Sequence, residues 1–125
     1  MYKKQNNSDS QVLCNAVVEG MQEMKAQDIV VLDLREISGA VADFFVICSG
    51  ESSTQVEGIS SSVMRYTRQE LQERPWHTEG KGNSEWVLVD YVSVVAHVFY
   101  KTARNFYDLE DLWADAKRTN IPNLN

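Results

Sequence analysis

The residues whose types could do chemistry are two histidines (His77, His97), two cysteines (Cys14, Cys48) and a Ser49-Gly50 pair. Ser49-Gly50 ends an apolar run and precedes a helical pattern. Enzymes that transfer nucleotidyl groups place a Gly-Ser pair at such a turn, where a helix N-terminus attracts anions. They then need two carboxylates, two residues apart on a following strand, to hold the divalent metal that bridges the phosphates. Here Glu79, Glu85 and Asp90 are scattered, and Asp108, Glu110 and Asp111 crowd a helix start, where acids meet the helix dipole favourably. Metal-dependent transfer therefore lacks its ligands. Gly80 and Gly82 read as a flexible loop, because the phosphate-loop spacing is missing.

His97 lies inside an apolar run, on the face of Val95 and Phe99. It reads as a hydrogen-bonded core histidine, or as a residue that fixes a hairpin beside a binding surface. His77, next to Trp76, reads as partly exposed, and neither histidine has a Cys or Ser partner nearby in sequence. Cys14 and Cys48 sit among apolar neighbours with no Cys-x-x-Cys or metal spacing, as buried free thiols do. That suits a reducing compartment. Trp76, Trp86 and Tyr91 flank short strands and turns. Such aromatics either anchor interfaces or roof the edge of a sheet.

The bulk numbers narrow the partner. The chain has 125 residues, 43% of them hydrophobic and 24% charged, which fits one globular domain. Its 18 acids against 12 bases leave a net charge of −6, with no basic run. Direct binding to DNA or to an anionic membrane is disfavoured. Docking on a basic protein is compatible with this charge, and so is solubility alone. No apolar run reaches membrane-spanning length, and residues 1–8 carry no secretory or transit signal, so a cytoplasmic protein is expected.

The elements that must position these residues follow from periodicity. Residues 1–9 are polar and are expected to be disordered. Leu13, Val17, Met21 and Met24 share the face of a first helix, capped by Asp9 or Ser10. Residues 28–33 and 44–48 read as buried strands. Ser52 or Ser53 caps a long helix carrying Val56, Ile59, Val63, Met64, Thr67 and Leu71, which Arg74-Pro75 closes. Residues 76–79 predict a short strand, and residues 86–90 and 94–100 a hairpin. Residues 102–105 read as a turn, Asp108 as the cap of a short helix, and residues 117–125 as a flexible tail. The expected fold is α/β: a single mixed sheet of about five strands with helices packed on it, in one domain spanning residues 10–116.

Several stretches in order carry a resemblance. They are Lys25-Ala-Gln-Asp-Ile-Val-Val-Leu-Asp33, Ala42-Asp-Phe-Phe-Val-Ile-Cys-Ser-Gly50 with Ser52 and Gln55-Val56, Glu79-Gly80, Trp86-Val-Leu-Val-Asp90-Tyr91, His97-Val-Phe99, and Arg104-x-Phe-Tyr-x-Leu-Glu-x-Leu-Trp113 with Asp115-Ala116. Together they resemble the Iojap family, the ribosomal silencing factors, over residues 12–116. The resemblance implies a nucleotidyltransferase-like fold without catalytic carboxylates. It implies binding to the large ribosomal subunit, through its fourteenth protein at the intersubunit face. Joining of the small subunit is then obstructed when nutrients are scarce, by a steric mechanism with no cofactor. Organelle relatives act in large-subunit biogenesis, homodimers are common, and ribosomal RNA contact is expected to be peripheral. The family's interface residues match Trp86, Asp90 and Tyr91, with Glu79, Gly80 and Ser93 added by position. One departure stands out: Val92-Ser93 replaces the usual Gly-Asp, and glycine accepts positive φ where valine does not. Trp86 and Tyr91 fall on opposite sides of a regular strand. One interface using both requires Tyr91 to swing outward where the turn begins.

Overall fold

The computed structural model describes residues 9–80 and 85–124. The expected disorder of the N-terminal segment falls mainly on residues 1–8, which lie outside that range, as do residues 81–84 of the expected loop. Helix α1 (Ser10–Glu23) starts at Asp9, whose carboxylate accepts the Gln11 N–H at 2.7 Å. Its apolar stripe of Leu13, Cys14, Val17 and Met21 is buried. Helix α2 (Ser53–Leu71) is capped by Ser52, which accepts the Gln55 N–H at 3.0 Å. The Gln55 side chain reaches back to accept the Glu51 N–H at 2.6 Å, much as in a capping box. The helix ends at Gln72, which turns left-handed (φ 57°) before Pro75 is reached. The two helices touch at Gly20, where an added Cβ would lie 2.9 Å from the Val63 backbone.

Among the described residues, six strands form one mixed sheet: β1 (Gln27–Asp33), β2 (Phe44–Gly50), β3 (His77–Glu79), β4 (Trp86–Asp90), β5 (Val94–Tyr100) and β6 (Lys117–Ile121). Their order is β3-β4-β5-β2-β1-β6. Only the central pair, β2 and β5, is parallel. Both of its strands are covered on both faces, which is why they read as unbroken apolar runs.

Strand alternation divides the interior in two. On the helix face, Phe44, Val46, Cys48, Val87, Val89, Val94, Ala96 and Val98 pack with α1 and α2. On the opposite face, Val30, Leu32, Phe45, Ile47, Val95 and Phe99 pack with Leu34, Ala42 and Leu109. The latter three come from the β1–β2 connection and from α4 (Leu109–Leu112), which follows α3 (Lys101–Tyr107). At the β4 end of this second face, Trp86 and Leu88 are only half-buried.

The C-terminal third departs from expectation. Residues 102–105 are helical, within α3, rather than a turn. Residues 117–121 are not a loose tail; they form β6, which pairs with β1 from Lys117↔Asp33 to Ile121↔Ile29 and raises the strand count to six. Four of its five side chains are exposed, so no apolar alternation announced it. Its bonds are main-chain bonds, and Asn123 extends the docking by accepting the Asp28 N–H at 2.8 Å.

Candidate docking face

Register places one set of side chains on the second face. Trp86 is opposite Phe99, Leu88 opposite His97, and Asp90 opposite Val95. On the other side of β4, Glu79 faces Leu88 and His77 faces Asp90. The surface therefore shows a half-buried Trp86 and Leu88 bordered by Asp90 and Glu79. Directly behind it, Val87 and Val89 are fully buried.

Trp86 is fixed in place. Its ring stacks on Phe99, with centroids 5.0 Å apart, and its indole N–H donates to His97 Nδ1 at 3.1 Å. His97 in turn packs edge-on against Phe45 at 4.7 Å, and Phe45 against Trp113 at 5.9 Å. The contacts run from the exposed face through the second core to Trp113, just beyond α4 (Leu109–Leu112). Burial keeps the His97 imidazole neutral by pushing its pKa down to about 3. With Nδ1 accepting, the proton lies on Nε2, which has no hydrogen-bond partner among the described residues. His97 is thus a core residue, hydrogen-bonded through Nδ1 to Trp86.

Gly80 supports the same residue from the next strand. It has φ +86°, and an added Cβ would lie 2.0 Å from the Trp86 carbonyl oxygen. Glycine is needed there both for the backbone angle and for the close approach. Glu79 is exposed, and its carboxylate pairs with His77 Nε2 at 2.8 Å. Asp90 accepts the Val92 N–H at 2.7 Å through Oδ1 and, through its carbonyl, the Trp76 N–H at 3.0 Å. Ser93 offers its carbonyl to the N–H groups of Asp43 and Phe44, at 2.8 and 3.1 Å, tying the turn to β2.

Tyr91 does not swing outward. It stays on the helix face with Val87 and Val89, 8% exposed, and its hydroxyl meets Thr67 Oγ1 of α2 at 2.7 Å. Desolvation raises its pKa to about 12. Alternation simply continues one residue beyond β4, and the ring packs into the helix-face core against α2. Trp86 and Tyr91 thus point to opposite faces.

The places considered for catalysis hold other arrangements. Ser49 is buried, and its hydroxyl accepts from Arg104 at 2.9 Å. Arg104, 7% exposed, also donates to the Asp28 carbonyl at 2.6 Å and to Glu110 at 2.8 Å. Arg104 stands in the sequence as the first residue of a resemblance-carrying stretch, and only the fold gives it this bridging role between β1, β2 and α4. No three His, Cys, Asp or Glu side chains gather to hold a metal among the described residues. Cys14 and Cys48 are buried free thiols, and desolvation raises both to about 12.

Fold and face together define a class: a single-sheet α/β protein that exposes one rigid aromatic-acidic strand. The family profile described as "Ribosomal silencing factor during starvation" matches residues 7–125. The chain is 38% identical over 107 residues to the ribosomal silencing factor RsfS of Halalkalibacterium halodurans, covering 86% of this chain and 90% of that one. It is 42% identical over 95 residues to RsfS of Bacillus subtilis, covering 75% and 78%. It is also 30% identical to the chloroplastic protein Iojap of Zea mays, over 93% of this chain and 50% of that one. A crystal structure of a Chromobacterium violaceum protein superimposes with a TM-score of 0.80 at 30% identity, covering 86% and 88%. One from Bacillus halodurans does so with a TM-score of 0.72 at 35% identity, covering 92% and 98%. The chain belongs to the ribosomal silencing factor family, which includes Iojap.

Proposed function

We propose that this protein represses translation in the cytoplasm by docking on the large ribosomal subunit, through that subunit's fourteenth protein at the intersubunit face. A folded body parked there excludes the small subunit sterically and needs neither cofactor nor catalysis. Contact with ribosomal RNA is peripheral, because the chain carries a net charge of −6.

The observation that carries this reading is the rigid Trp86. A preordered, half-exposed tryptophan loses little entropy on binding and supplies a large apolar contact. Leu88 lies beside it, while Asp90 and Glu79 supply negative charge suited to a basic ribosomal protein. Gly80 and Ser93 shape the two ends of the face, and Tyr91 holds the strand from behind.

The test is co-sedimentation of the purified chain with isolated large subunits, with and without added small subunits. The unchanged chain is expected to pellet with large subunits and to reduce joining. Trp86→Ala should weaken association by tenfold or more, roughly the loss of one central anchor, with its helical circular dichroism retained. Unchanged association by a folded Trp86→Ala protein would remove the face from the interface. Failure of the unchanged chain to pellet would refute the function.

A further inference from the structure

The turn that ends the docking face is strained. Val92 has φ +76°, a region that β-branched residues rarely adopt. The Ser93 N–H donates to the Tyr91 carbonyl at 3.0 Å and closes a γ-turn around Val92, of the rare positive-φ kind. Surrounding bonds enforce it: Asp90 Oδ1 accepts the Val92 N–H at 2.7 Å, and Tyr91 N–H donates to the Val94 carbonyl at 2.9 Å. The Ser93 carbonyl is pinned by the N–H groups of Asp43 and Phe44. Strain of this kind survives only where the surroundings over-determine it.

The Val92 side chain gives the fold nothing in return. It is 59% exposed and belongs to neither core. Glycine would take the same turn without strain, and asparagine with little. Trp76 lies on the other flank of Asp90. Its N–H donates to the Asp90 carbonyl, and the residue is 70% exposed, its ring set at 5.5 Å from that of His77. Two large apolar side chains thus stand exposed on segments adjoining the residue that bears this carboxylate, Val92 two positions on and Trp76 bonded to its main-chain carbonyl. Only Oδ1 of that carboxylate is engaged among the described residues.

We infer that Val92 and Trp76 form an apolar clamp around Asp90, which strengthens its pairing with a cation of the basic ribosomal protein that binds this face. The inference rests on the docking function proposed above and is continuous with the Trp86–Leu88–Asp90 surface. Once a partner covers the clamp, water is excluded from the Asp90 carboxylate, and the ion pair gains strength in the lower dielectric. The strain at Val92 is then the cost of holding an aliphatic side chain where glycine would leave a gap.

Val92→Gly, Val92→Asn, Trp76→Ala and Trp86→Ala are compared in thermal melts and in titrations against isolated large subunits. Both Val92 variants should melt at higher temperature than the unchanged protein, yet associate about fivefold or more weakly. Trp76→Ala should weaken association by a similar factor with its melting midpoint unchanged. Normal association by the Val92 and Trp76 variants, with Trp86→Ala impaired, overturns the clamp and leaves the docking reading standing. A lower midpoint in both Val92 variants overturns the strain argument and the clamp with it. No association by the unchanged protein overturns both readings.

Discussion

Tyr91 and Trp86 show how two aromatics five residues apart come to do different work. The Trp86 indole faces outward and is braced by His97 and Phe99, whereas the Tyr91 hydroxyl is buried on Thr67. Thr67 already donates its hydroxyl to the Val63 carbonyl at 3.0 Å, so Tyr91 donates to Thr67. Tyr91→Phe removes one buried hydrogen bond and leaves the ring in place. It should lower the unfolding free energy by about 1 kcal/mol, read from urea melts, while association with large subunits stays unchanged. Weakened association without loss of stability would return Tyr91 to the interface. From sequence, both residues were legible as aromatics flanking a strand. Which face each takes depends on where the alternation stops, and a turn residue can break it or continue it.

At the scale of elements, the centre of the sheet was legible and the C-terminal third was not. The strands from β1 to β5, and the helices α1 and α2, announce themselves by apolar period and by the caps at Asp9 and Ser52. Strand β6 carries Lys117, Arg118, Thr119 and Asn120, all exposed, and gains its place from the unpaired edge of β1. Its stability is mainly main-chain pairing, together with Ile121 on the helix-side core. Deleting residues 117–125 should therefore cost about 2–4 kcal/mol, from a lost ladder and one partly buried isoleucine. It would also expose the β1 edge, an invitation to self-pairing. Urea melts and light scattering of the truncated protein check both effects. A melt indistinguishable from that of the full chain would mean that β6 contributes nothing.

For the whole molecule, one buried base links folding to acid. The folded His97 has a pKa near 3, against 6.5 for an ordinary histidine, because burial disfavours the imidazolium. Between these values the unfolded chain binds the extra proton. This contribution is therefore complete above pH 6.5 and is lost as pH falls, by about 1.4 kcal/mol per unit. Protonation would also remove the Nδ1 lone pair that holds Trp86. Urea midpoints measured from pH 7 down to 4.5 should fall accordingly, and His97→Gln should flatten that slope. An equal slope in the variant would assign the acid sensitivity to other groups.

The sequence by itself determined the class of fold, the central strands, the two long helices and the candidate strand at Trp86, because apolar period and capping chemistry are local. It also carried the resemblance that the family match bears out. Only the tertiary structure decided what depends on neighbours distant in sequence. The β1 edge made a strand of 117–121, and the space beneath α2 took the Tyr91 ring. Bonds from Asp43, Phe44 and Asp90 hold Val92 at a backbone angle that its own side chain disfavours. Each of these outcomes sets a weak local preference against several long-range contacts, and the contacts win.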